Sequence, residues 1–117
     1  MEQPPFFVKI KYLDEASFQK LLPILLSELK ESFDQLIIGL KQANLKQVGM
    51  MAHKMKGAAA SFGAVRISEG AARVEKVLRE HASGNELSKS VEMLQIALET
   101  TRQYSLKELM NKDVPDT

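Results

Sequence analysis

The 117-residue chain contains no cysteine. That excludes a disulfide framework and any thiolate metal site, and it fits a reducing compartment. Charge of either sign is also without excess, since the formal net charge is +1. Such a balance gives no electrostatic ground for binding nucleic acid or a membrane surface. No apolar run approaches the roughly 18 residues that a membrane-spanning helix needs. The opening Met1-Glu2-Gln3-Pro4-Pro5 has neither the basic start nor the apolar core of a signal peptide. Histidine occurs twice, at His53 and His81, with no Glu-x-x-His pair, so a di-iron site of the helical-bundle kind is not expected. The expectations are a cytoplasmic protein that binds no metal, no membrane and no nucleic acid.

What is present reads as helix. The 44% hydrophobic and 26% charged content is that of an ordinary globular domain, and the length is that of one domain. No segment sustains period-two alternation. Residues 1–13 are expected to form an extended segment, with Pro4 and Pro5 inside it. Asp14 is a suitable N-cap for a short helix over 14–22. Pro23 then opens a longer helix, or interrupts one continuous helix. Leu22, Leu25, Leu26, Leu29, Phe33, Leu36, Ile37 and Leu40 follow the i, i+3, i+4, i+7 spacing of a core-facing stripe.

Asn44, with Gln47 three residues on, makes a capping-box-like start for a helix over 45–62. Gly63 fits its end, where glycine accepts a left-handed backbone. A third helix spans 65–82, with Ile67, Ala71, Val74 and Leu78 inward, and Ser83-Gly84-Asn85 breaks it. The last helix spans 86–110, with Leu87, Val91, Leu94, Leu98, Thr101 and Ser105 on one side, and 111–117 form a frayed tail. Long helices with short connections imply antiparallel neighbours. The predicted fold is all-α: an antiparallel up-down-up-down four-helix bundle over 14–110, with a short additional N-terminal helix. Its four stripes bury one another, so a monomer is expected.

One histidine stands apart from this pattern. At about 100° per residue, Val48, Met51, Ala52, Met55, Ala58, Ala59 and Phe62 share one arc, and His53 lies opposite. The positions able to cover it are those three and four residues away. They include Gly49, Met50, Lys56 and Gly57, with Ala60 a turn further. Glycine inside a helix costs roughly 1 kcal/mol against alanine, so two glycines beside an exposed imidazole leave room for something large to approach. Lys56 adds a positive charge on the same face, and Lys54 adds one beside it. An imidazole is a nucleophile near neutral pH and can carry a phosphoryl group. No acidic cluster flanks His53 to hold Mg²⁺, and no Gly-rich nucleotide loop is present. Met51 and Met55 read as core fillers, His81 as a cation near a helix C-terminus, and 73–76 as a solvated face with a weak Glu75–Arg79 pair.

The run His53-Lys54-Met55-Lys56-Gly57 followed by Ala58-Ala59-Ala60-Ser61-Phe62-Gly63-Ala64 resembles the signature of histidine phosphotransfer (HPt) domains, His-x-x-Lys-Gly-small-small-x-x-x-Gly. The resemblance covers residues 21–105, and the size is similar to that of stand-alone, quorum-sensing members. It implies a cytoplasmic component of a two-component phosphorelay. His53 would accept a phosphoryl group from a receiver-domain aspartate and pass it to another, with no autonomous kinase activity. Lys56 and Lys54 would stabilise the phosphoryl oxygens. Gly49, Met50, Gly57 and Ala60 would form the docking face for the receiver, with Phe18 or Leu21 beside it. Gly63 would close the helix. Response-regulator receivers and a hybrid sensor kinase would be the partners, and Mg²⁺ would sit on the receiver only. Alanines follow Gly57 where many members have serine. Rival readings are the phospho-accepting domain of a chemotaxis-type kinase and a non-catalytic helical adaptor.

Overall fold

The computed structural model describes residues 3–113, with side chains described through residue 108. Four helices make it up: α1 (Glu15–Lys41), α2 (Leu45–Ser61), α3 (Val65–Arg79) and α4 (Gly84–Asp113). No strand occurs among the described residues. Each helix packs on the next, and α4 returns to α1 through a lighter seam. The connections are residues 42–44, 62–64 and 80–83, the short lengths that antiparallel neighbours use. At the centre Leu29, Leu36, Val48, Met55, Ile67, Val74 and Leu94 are shut off from solvent. Each such side chain contributes roughly 1.5–3 kcal/mol through burial.

The caps explain where the helices begin. Asp14 accepts the Ser17 amide at 2.7 Å, and Asn44 accepts that of Gln47 at 3.2 Å. The ends of α1, α2 and α3 share one device. A residue in the left-handed region, Ala43, Gly63 or His81, turns the chain. The next amide then reaches back to close the helix: Asn44 to Gly39 O, Ala64 to Ala59 O and Ala82 to Val77 O. That device ends α3 at Arg79, three residues short of the expected Ala82.

One expectation at the N-terminus is corrected. There is no separate short helix, because α1 runs unbroken through Pro23. Leu22, Leu25 and Leu26 are buried on both sides of the proline, while Pro23 itself faces solvent. Packing along the stripe thus outweighs the roughly 3 kcal/mol that an interior proline costs. The segment before α1 is extended but not loose. The Val8 amide donates to Gly63 O at 2.9 Å, and Arg66 Nε donates to the Pro4 carbonyl at 2.7 Å. Phe6 stacks on Tyr104 of α4 at 4.5 Å, and Phe7 meets Phe18 edge-on at 5.2 Å. This segment is a strap across one end of the bundle. At the other end of the chain, α4 continues to Asp113 rather than stopping at Met110, and the rest of the expected frayed tail, 114–117, lies outside the described residues.

Candidate functional site

His53 lies midway along α2 with its side chain 73% exposed. Its Nδ1 is 3.0 Å from Oε2 of Glu75 on α3. The other oxygen of that carboxylate, Oε1, is 2.8 Å from Nζ of Lys56. Oε1 is enclosed, and the Lys56 ammonium is its one neighbour of opposite charge among the described residues. Burial opposes ionisation of Glu75. The Lys56 ammonium beside Oε1 and the hydrogen bond with His53 outweigh it and hold the carboxyl below the usual glutamate range.

An ionised carboxylate only accepts hydrogen bonds. Nδ1 of His53 therefore carries the hydrogen, and in the neutral ring Nε2 is left with its lone pair. Nε2 has no protein partner among the described residues and faces solvent. The carboxylate thus sets both the tautomer and the orientation of an exposed imidazole. The same charge would compensate a positive charge on the ring, were Nε2 to form a bond.

The residues around His53 are not equally bare. Gly57 has open space where a Cβ would stand, and Ala60 is exposed one turn on. Met50 is 57% exposed. Gly49 is half-buried, and a Cβ there would lie 3.5 Å from the Leu78 side chain, so it belongs to the α2–α3 contact as much as to the open face. Lys54 is exposed on the other flank of α2. It borders a hollow with Glu28 and Glu31 of α1 and is not part of the His53–Glu75–Lys56 group. Phe18 is not an open contact residue, because it stacks on Phe62 at 4.8 Å and packs against Phe7. Leu21 is 41% exposed. Gly63 has φ +77°, and a Cβ there would run into the Val8 carbonyl.

Glu75 is the residue that sequence reasoning missed. It is not in a solvated pair with Arg79; its side chain is 18% exposed and turned to α2. It lies 22 residues from His53 on another helix, so no local spacing connects the two. The available signal was its place one residue beyond Val74, at the edge of the α3 stripe.

A bundle of four helices with a carboxylate-oriented, exposed histidine defines a histidine-bearing helical domain. The Hpt domain family model matches residues 20–109, and the chain belongs to that family. It is 33% identical over 63 residues to the phosphorelay intermediate protein YPD1 of Candida albicans, an alignment that covers 53% of this chain. The aligned part spans about a third of that relative's length, 34%. No solved structure matches the chain. No helix among the described residues is long and apolar enough to cross a membrane.

Proposed function

We propose that this protein is a histidine phosphotransfer component of a two-component phosphorelay. Nε2 of His53 attacks the phosphorus of a receiver's aspartyl phosphate. A P–N bond forms, the P–O bond to the aspartate breaks, and the carboxylate leaves with the electron pair. The reverse step delivers the group to the aspartate of a second receiver. Nδ1 keeps its hydrogen on Glu75 throughout. Lys56 has three donor hydrogens and divides them between Glu75 and the phosphoryl oxygens, where charge must be neutralised. Lys54 adds field from further off. Gly57, Ala60 and Met50 form the bare ground on which the receiver sits, and the receiver supplies Mg²⁺. A hybrid sensor kinase is the natural donor for such a relay, and a monomer leaves the face free.

The observation that carries the proposal is the Glu75 contact to Nδ1, which leaves the exposed Nε2 as the nucleophile. Membership in the Hpt family and the likeness to a phosphorelay intermediate protein support it. The test is incubation with a panel of phosphorylated receiver domains. Wild type should take up an acid-labile label and His53→Gln none. A label that survives in His53→Gln would overturn the proposal. So would an unlabelled wild type when acetyl phosphate and a receiver are supplied together.

A further inference from the structure

Beyond the His53 face, α3 and α4 enclose a second surface. Two adjoining hollows of about 450 and 670 Å³ lie between them and share Glu69, Arg73 and Met93. Together they run along α3 and its C-cap, from Arg66 to Glu80, a length of about 20 Å at 1.5 Å per residue, or four helical turns. The floor is apolar. Met93 and Ile96 stand one turn apart on α4, and both are more than half exposed. The rim carries five cationic side chains against three acidic ones, a larger excess than the +1 of the whole chain. Arg66 is committed to the Pro4 carbonyl and the Phe6 ring, and Lys76 reaches Glu80 at 3.9 Å. Arg73, Arg79 and Lys89 make no ion pair among the described residues.

The groove is turned away from the histidine. Glu75 and Ser68 face α2, whereas Gly70 faces Leu94 of α4. Arg73 precedes Glu75 by two residues, which places it about 160° round the helix axis from Glu75.

We propose that this groove is a docking surface for a partner protein's amphipathic helix, with apolar anchors over Met93 and Ile96 and acidic residues against the α3 cations. A groove between two packed helices accepts the ridge of a third, and its charge excess selects an acidic one. The occupant stays in place while a receiver visits His53. A carrier tethered this way meets its receiver at a raised effective concentration.

The test does not depend on phosphotransfer. The full chain, wild type and His53→Gln, is titrated with a synthetic amphipathic peptide of about four turns, with leucines at i, i+3, i+4 and i+7 and flanking glutamates. A control peptide carries lysines instead, and amide chemical shifts are followed. The acidic peptide should shift amides of 66–80 and 86–100 and leave 49–60 in place, equally in both proteins. Arg73→Glu with Arg79→Glu should weaken binding about tenfold or more, as should Ile96→Glu on its exposed site. No shift at millimolar peptide, equal binding of the lysine peptide, or shifts centred on α1 and α2 would overturn the proposal. So would anionic phospholipid vesicles perturbing the groove when the acidic peptide does not.

Discussion

Glu75 has a cation on one carboxylate oxygen, an imidazole on the other and little water. Because its carboxyl is held below the usual range in the folded protein, the unfolded chain takes up that proton at higher pH than the folded one. Its stabilising contribution is therefore complete above the ordinary glutamate value of about 4.3 and is lost as pH falls through the lower folded value. Chemical denaturation between about pH 2 and 5 should show a steeper acid loss for wild type than for Glu75→Gln. At neutral pH Glu75→Gln should also slow phosphoryl uptake by about 10–100-fold, the range seen when the partner that orients a metal-bound histidine is removed. Unchanged uptake would reduce the contact to a structural ion pair. Substitutions at Gly57 test the proposed docking apart from folding. With open space at its Cβ position, Gly57→Ala should raise stability by about 0.4–1 kcal/mol. Gly57→Trp should fold as well but lose transfer from the receiver. The histidine, its lysine and the open glycine were legible because they lie on one helix at fixed spacing. Glu75 was not, because a contact between helices is set by packing that no local pattern encodes.

The helices themselves were written plainly in the sequence. The stripes of Leu22 to Leu36 and of Leu87 to Ser105 face the core as their spacing requires. The ends were harder, because the left-handed closures at Ala43 and His81 use residues that carry no glycine signal. Gly63 did carry one, and it is the least replaceable of the three. Gly63→Ala places a Cβ at φ +77° and against the Val8 carbonyl. It should cost more than the roughly 1–2 kcal/mol of a left-handed alanine alone, measured by urea denaturation. Ala43→Gly, freed of its own strain, should move the other way.

The molecule as a whole is a rod, 54 × 29 × 25 Å, since α1 and α4 are long and connections between neighbours are short. Its weak side is the α1–α4 seam, and the strap covers one end of it. Beside the strap lies a hollow of about 490 Å³ lined by Phe7, Leu13, Phe18, Leu22 and Tyr104. Arg66 stands 3.7 Å over the Phe6 ring, whose other neighbour is Tyr104, so one aromatic ring joins α3 to α4. Phe6→Ala removes both contacts. It should cost about 1–2 kcal/mol, read as a fall in Tm, while uptake of phosphoryl by His53 stays unchanged. Residues 6–12 carry no helical or alternating periodicity, because a strap is held by single anchors rather than by a face.

Those anchors also bear on the order in which the chain assembles. Each helix packs mainly on its neighbour in sequence, a local topology of the kind that folds in microseconds to milliseconds. The strap is different. Its carbonyl at Pro4 waits for Arg66, 62 residues away, and the Phe6 ring waits for Tyr104. It can dock only on a bundle already built, so its anchors belong to the native side of the folding barrier. Their loss should quicken unfolding and leave the rate of folding almost untouched.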